Sequence, residues 1–332
     1  MFVVAAALIV AYICYASHLA QEHRWEKRVI GVEVSLPDNN DSRSFVTQEQ
    51  VYEKIGHSGV KVEGVQVDSL DLANVLGYLS RDGYVKEVDA YVNYSGVLHI
   101  NIVQHTPVLR LMCGGVNSYV TEEGYVFCQP YKSAYYTSVV TGKYKPHFDT
   151  HFEGNVKEYF ASLIEQENAK LTKIEDDMLQ LRKKRLEVYE ERDRARSDAE
   201  EARLKAKELA KLDADEKQLK AERQNSEIYK KKLQKKSVDF VNLINFVSKV
   251  NKDPFWSAEV VQIVADTTYL GEISLRMIPR SGNFEIEFGT LDKCDKKLAK
   301  LHKFYEKGLP YVGWERYKVV DVRYDKQIIC RE

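Results

Sequence analysis

The alternation of apolar and polar residues over 29–105 predicts a compact α+β unit. Residues 32–36 alternate in the two-residue period of a half-buried strand. A capping-box pattern at residues 47–50 predicts a first helix, and an apolar stripe that begins at Leu70 predicts a second. Two strand-like runs then follow, at 85–94 and 97–105. The predicted order is β-α-α-β-β.

Short strands and turns dominate two further regions, 107–160 and 237–332. A helix at 293–307 interrupts the second region, and its predicted apolar stripe is Leu298, Leu301 and Phe304. Neither region has enough strands for independent stability. We therefore predict that the two regions are halves of one mainly β domain.

The segment between these regions, 161–236, predicts a long helical insertion. It lies in a stretch without Gly or Pro, and its apolar residues recur every seven positions, which is typical of a coiled coil. Beyond Val188 this seam weakens. Two alternatives stay open: a helical hairpin that folds back between residues 192 and 215, or a single charged helix held by pairs one turn apart. The heptad positions are Ile164, Leu171 and Met178, with Ile174, Leu181 and Val188 offset by three.

The first residues predict a transmembrane helix. Residues 2–19 carry no formal charge, and about 18 residues can cross a bilayer core. We therefore expect an uncleaved anchor at 1–20 and a juxtamembrane linker at 21–28, in preference to a cleaved signal peptide. The charges that flank the anchor leave its orientation open.

Composition and motifs argue against catalysis. The net charge of −1 provides no basic field for nucleic acid. No phosphate-binding loop, dinucleotide fingerprint, nucleophile elbow or zinc-protease motif is present. We therefore expect neither an enzyme nor a cofactor. His147, Asp149 and His151 form a weak metal candidate, but Pro146 and Gly154 place them in a predicted loop without a further ligand.

The cysteines leave two alternatives open. Cys113 and Cys128 suit adjacent strands and so a disulfide, and Cys294 and Cys330 complete an even set. Four free thiols are the other reading. No C-x-x-C pattern occurs, which argues against a redox or zinc site.

The final strand-like run predicts a binding surface. Because it lies at the chain terminus, we expect it at a sheet edge, where unpaired N–H and C=O groups can accept a strand from another chain. A final core strand is the alternative.

The C-terminal stretches 304–309, Gly313-Trp314 and 320–325 resemble the FtsQ/DivIB family of bacterial division proteins, in particular its Bacteroidetes branch. The unit at 29–106 looks like a POTRA domain, and Pro107 and Arg110 lie in a stretch similar to the junction that follows it in the family.

The resemblance implies a non-enzymatic divisome scaffold at the septum, in the bacterial inner membrane with a cytoplasmic N-terminus and a periplasmic body. Its implied partners are FtsB- and FtsL-like single-pass proteins. In the family, FtsB adds a strand beside the last β-strand. That contact maps onto Val322, Arg323, Tyr324, Gln327, Ile328, Ile329 and Cys330.

Two features depart from the family pattern: we expect no cytoplasmic leader, and the segment 161–236 is not a usual family part. A POTRA-containing envelope transport or assembly factor is the alternative function, followed by a periplasmic enzyme.

Overall fold

The computed structural model describes residues 9–18, 27–36, 44–128, 135–195 and 198–332. Their helices and sheets form a mixed α/β fold that divides into two compact units. The first unit comprises Met1–Thr121, Val126–Val139 and Thr150–Glu153, and the second comprises Glu122–Tyr125, Val140–Asp149 and Gly154–Glu332.

The first unit begins with a three-stranded sheet covered by two helices. The strand order is β1-β3-β2, with β1 parallel and β2 antiparallel to β3. Thr47 caps α1 with both bonds of the capping box, which confirms that prediction. The second helix begins later than the sequence indicates, because Asp71 is its N-cap. The elements are β1 Gly31–Ser35, α1 Gln48–His57, a 3₁₀ turn Val67–Ser69, α2 Leu72–Leu79, β2 Val85–Val92 and β3 Val97–Gln104.

Three antiparallel strands continue the first unit: β4 Pro107–Cys113, β5 Ser118–Thr121 and β6 Tyr125–Cys128. Because β5 lies between β4 and β6, Cys113 and Cys128 are not on adjacent strands. Two strand spacings amount to about 9.5 Å, which exceeds the separation that a disulfide tolerates. All five cysteines are free thiols.

The second unit carries a long helical arm that follows the two-residue strand β8 Gly154–Asn155. Helices α3 Val156–Arg194 and α4 Ala199–Lys252 pack against each other as an antiparallel hairpin. Asp198 starts α4 by accepting hydrogen bonds from the N–H groups of Glu200 and Glu201. The charged segment is therefore two helices that fold back near residues 195–198.

Strands of the second unit lie in the order β7-β9-β10-β11-β12-β13. Strands β9, β10 and β11 are antiparallel, β12 runs parallel to β11, and β13 runs antiparallel to β12. The C-terminal part of α4 packs on this sheet, with the rings of Phe246 and Phe288 4.8 Å apart. The elements are β7 Ser138–Gly142, α5 Pro254–Glu259, β9 Val260–Thr267, β10 Ile273–Pro279, β11 Glu285–Thr290, α6 Cys294–Lys307, α7 Leu309–Val312, β12 Val319–Asp321 and β13 Ile329–Arg331.

The predicted transmembrane helix is corrected by the structure. Across the described part of the chain, no helix is both long enough and apolar enough to span a bilayer. Residues 9–18 are helical, but ten residues extend only about 15 Å, against about 30 Å of hydrocarbon core. The anchor at 1–20 and the inner-membrane localisation based on it are therefore wrong on this finding. Residues 1–8 and 19–26, which include the rest of the anchor and most of the linker, lie outside the described residues.

Candidate functional site

The sheet of the second unit ends at β13, the last strand in the sheet order. Val319, Val320 and Asp321 of β12 face Arg331, Cys330 and Ile329 of β13. No further strand pairs with β13 among the residues that the structure describes. This terminal strand and the loop 322–328 before it, together called the C-terminal edge, are the candidate binding site.

A buried carboxylate organises the base of the C-terminal edge. The side chain of Asp321 is fully buried and accepts hydrogen bonds from Nε and Nη2 of Arg323, at 2.9 and 2.5 Å. Nη2 of Arg331 lies 3.5 Å from Oδ2 of the same carboxylate. Burial alone would raise the pKa of Asp321, but the Arg323 hydrogen bonds and both guanidinium charges bring it below the usual value. The two arginines therefore keep the Asp321 carboxylate charged although it is buried in the sheet.

A glycine in β11 makes space for the Arg323 side chain. Gly289 has φ +74°, a left-handed conformation that favours glycine. A Cβ at this position would lie 2.6 Å from Cγ of Arg323. The aliphatic part of the Arg323 side chain therefore packs against β11 at Gly289, where that strand has no side chain.

The loop of the C-terminal edge is fastened to helix α6 by two lysines. Nζ of Lys300 donates to the carbonyl oxygens of Val322, at 2.9 Å, and Gln327, at 3.1 Å, and also to that of Tyr324. Nζ of Lys293 lies 2.7 Å from Oδ2 of Asp325. The loop therefore has a defined conformation although it has no regular secondary structure.

The predicted contact residues differ in accessibility. Val322 is fully buried and donates its N–H to the carbonyl of Glu287, so its side chain belongs to the core. Tyr324 is 45% exposed, and Gln327 is exposed as well. The Arg323 side chain is partly exposed to solvent, but its guanidinium is already paired with Asp321. Ile328, Ile329 and Cys330 are half-buried. The predicted contact residues therefore do not form one continuous strand. Val322 is a buried residue, 323–328 form a loop, and only Ile329 and Cys330 belong to β13.

The predicted junction residues lie at the start of β4. Pro107 is buried and begins the strand. Nε of Arg110 donates to Oδ1 of Asn117 at 3.0 Å, and its guanidinium lies 5.5 Å from the centre of the Tyr119 ring. Both residues therefore belong to the sheet region of the first unit.

Gln104, just before this junction, has a role that the sequence did not reveal. Its side-chain amide donates to Oγ of Ser44 at 2.9 Å and accepts from the N–H of Phe45 at 2.8 Å. Phe45 in turn packs on the rings of Tyr119 and Tyr135, at 5.0 and 4.9 Å. Gln104 therefore fixes the backbone that carries the central ring of an aromatic cluster in the first unit.

The weak metal candidate receives no support from its surroundings. Nδ1 of His147 lies 3.2 Å from Nζ of Lys236, and its ring stacks on Phe160. Burial lowers the pKa of His147, and the charges of Lys236 and Lys232 lower it further. In the described ranges, no group of three or more His, Cys, Asp or Glu side chains is arranged to hold a metal. We therefore assign no metal site to His147, Asp149 and His151.

The contacts that sequence reasoning missed come from side chains distant in sequence from the loop that they hold. Lys297 and Lys300 are spaced so that they share one face of α6, and Lys293 is the residue that precedes this helix. That spacing is the only sequence signal for the fastening, and it does not reveal which acceptors the lysines reach.

Residues 205–331 match the protein-family model described as "FtsQ/DivIB, C-terminal related". No curated protein matches the chain significantly. The matched range contains most of α4, all strands from β9 to β13 and the whole C-terminal edge. The C-terminal region 205–331 is thus FtsQ/DivIB-like, which confirms the resemblance there, and the family suggests a role in cell division together with other components of the division machinery. The match also includes residues 205–236, so about two fifths of the predicted insertion lies within the family region.

Proposed function

We propose that this FtsQ/DivIB-like chain is a non-enzymatic scaffold of the division machinery, which binds FtsB- and FtsL-type partners and supports septum assembly. The partner would add a strand beside β13. The observation that carries the proposal is the position of β13, which is the last strand of its sheet and lies inside the family match.

Strand addition suits the physical properties of this edge. Main-chain hydrogen bonds provide affinity in such contacts, and side chains on alternate positions provide specificity. Because β13 has only three residues, a partner strand would rely on neighbouring side chains for much of its contact. Tyr324 is the aromatic residue nearest to β13 in sequence, and partly exposed aromatic rings often dominate binding energy at interfaces.

Arg323 has a different part in this proposal from the one that the sequence indicates. Its Nε and Nη2 atoms are used by Asp321, and Nη1 lies 3.7 Å from Glu287. A guanidinium engaged in this way has little remaining capacity for an acidic partner. We therefore propose Tyr324, Gln327 and Ile328 to Cys330 as direct contacts, and Arg323 as their structural support.

Co-purification of the full-length chain with its FtsB-like partner tests the proposal. Tyr324→Ala and Ile328→Asp should each reduce recovery of the partner, the first by removing an aromatic contact and the second by placing a charge beside β13. Tyr269→Ala is the matched control, because this tyrosine is 96% exposed in the turn between β9 and β10. Circular dichroism melts should show that all three variants remain folded. Full recovery with both edge variants would refute strand addition.

A further inference from the structure

Helix α6 faces the C-terminal edge with a row of lysines that act on main-chain carbonyls. Lys297 donates to the carbonyl of Thr290 at 2.6 Å, and Lys300 donates to three carbonyls of the 322–327 segment. Of these two lysines, Lys300 reaches the C-terminal edge, whereas Lys297 bonds β11. Lys303, about one turn further along the helix, is exposed.

The bonds of Lys300 use its full donor capacity. A lysine ammonium carries three N–H donors, and Val322, Tyr324 and Gln327 supply three acceptors. These acceptors come from the beginning, middle and end of the loop, so a single charged group closes the loop around itself. The first acceptor follows β12 directly, and the last lies two residues before β13.

This arrangement relates the loop to the edge strand. The loop carries Tyr324 and leads directly into β13, whose three residues pair only with β12 among the described strands. Without Lys300, the carbonyls would turn to water, and the orientation of Tyr324 relative to β13 would no longer be set. Binding would then have to order the loop as well, and the ordering of mobile segments reduces affinity.

We propose that Lys300 is a positioning residue of the partner-binding edge, which holds Tyr324 and β13 in the arrangement that the partner recognises. This inference rests on the proposed function. Lys300 itself does not contact the partner: its three donors point at the loop. Its effect on binding comes from pre-organisation of the free protein.

The neighbouring charges fit this role. Burial lowers the pKa of Lys300, and the charges of Asp325 in the loop and Asp321 at its base counteract part of that shift. Lys293 pairs with Asp325 at 2.7 Å, and the charges of Lys296 and Lys300 also act on this carboxylate, so that the pKa of Asp325 is lowered. The loop thus provides both carbonyl dipoles and a carboxylate to a helix face that is otherwise basic.

The test compares Lys300→Met with Lys303→Met in the full-length chain. Methionine keeps the length of the side chain and removes the ammonium group. We expect Lys300→Met to weaken the affinity for the FtsB-like partner on the order of tenfold. Hydrogen exchange of residues 322–328 should accelerate in the free variant and return to the wild-type rate in the complex. Lys303→Met should change neither quantity.

A second variant covers the case in which Lys300→Met unfolds the second unit. Lys300→Arg keeps the charge, but its planar fork cannot donate to three convergent carbonyls, so we expect an intermediate affinity and intermediate exchange rates. Wild-type affinity despite accelerated exchange in either folded variant would overturn the positioning role. Unchanged exchange in the free variants would overturn it as well.

Tyr324→Ala separates this inference from the proposed function. If Tyr324→Ala weakens binding and the Lys300 variants do not, the edge binds the partner without help from Lys300 and only the positioning role fails. If Tyr324→Ala and Ile328→Asp both leave binding intact, the proposed function itself fails.

Discussion

Substitution of Arg323 by alanine perturbs the second unit at a single, well-defined point. The change removes two hydrogen bonds to Asp321, from Nε at 2.9 Å and Nη2 at 2.5 Å. The carboxylate stays fully buried, and the nearest remaining cation is Nη2 of Arg331 at 3.5 Å. Arg323→Ala therefore leaves a buried carboxylate that keeps the backbone N–H of residue 323, at 3.1 Å, and the guanidinium of Arg331 as partners.

The expected loss of stability follows from this geometry. Removal of one member of a buried ion pair typically costs about 3–5 kcal/mol. Arg323 is 44% exposed and Arg331 remains nearby, and both facts reduce the cost. We expect a decrease of about 2 kcal/mol in the free energy of unfolding of the second unit, within the range for lost hydrogen bonds to charged groups. Arg316→Ala is the control, because its pair with Glu332 is exposed at both ends and should contribute less than about 1 kcal/mol.

The pH dependence has a definite sign. The folded pKa of Asp321 is lowered, so its stabilising effect is fully present above the unfolded pKa of about 3.9 and is lost as pH falls through the folded pKa. In Arg323→Ala, burial should raise the folded pKa relative to that of the wild-type protein. The difference between wild type and variant should therefore be largest near neutral pH and should shrink below about pH 4.

Tryptophan fluorescence during urea unfolding provides the measurement, since Trp256 and Trp314 lie in the second unit. Curves for wild type, Arg323→Ala and Arg316→Ala should be recorded at pH 7 and at pH 3.5. A loss at pH 7 no larger than that of Arg316→Ala would refute the reasoning. So would a difference between wild type and Arg323→Ala that grows as the pH falls.

Three further substitutions test other parts of the chain. Gly289→Ala should destabilise the second unit by about 1–2 kcal/mol through its left-handed backbone, and the same urea assay should show a smaller effect in the Arg323→Ala background, where the clash is relieved. Leu212→Ala, in the buried cluster that Leu212 forms with Val188 and Leu209, should lower the helical melting temperature, whereas Leu204→Ala, which is exposed, should not. Gln104→Ala should accelerate hydrogen exchange at the Phe45 amide, and an unchanged rate would contradict its role in the aromatic cluster.

The features that sequence reasoning located well depend on neighbouring residues. The capping box at Thr47 and Gln50 requires only residues within one turn, and both of its bonds are present. The fold-back of the arm follows a similar logic: the apolar seam weakens beyond Val188, and α3 ends at Arg194 before α4 begins at Ala199 and returns along it. Of the two alternatives that the sequence left open for this segment, the structure has the hairpin.

The C-terminal edge could not be derived in this way because its contacts are distant in sequence. Alternation between Val320 and Val322 places Asp321 on the polar side of a strand, yet Asp321 is fully buried. Two arginines make that burial possible, one of them in a different strand. Likewise, periodicity assigns Lys297 to the polar face of α6, but it is buried and reaches the carbonyl of Thr290. Rules based on periodicity assign charged residues to exposed positions, whereas Asp321 and Lys297 are buried and have partners inside the fold.

The same principle explains the arm, where ion pairs take over from an interrupted apolar seam. Glu167 and Glu216 are buried between the two helices, and Glu216 contacts Arg185 across the hairpin at 2.6 Å. Further pairs cross from α3 to α4: Arg185 with Asp213, Glu191 with Lys205, and Glu175 with Arg223.

All of these crossing pairs belong to one alignment of the helices, so a slip of α3 against α4 by one turn would break them together. Glu216 would then lose Arg185 and keep Lys220 of its own helix, which lies 2.7 Å from its Oε1. Buried polar groups specify register in coiled helices for this reason. With 39 residues in α3, the arm extends about 58 Å as a hairpin of fixed register. The second helix of the arm, α4, continues into the core of the second unit, where Phe246 packs against Phe288 of β11. The family match begins inside this helix and extends to the C-terminal edge.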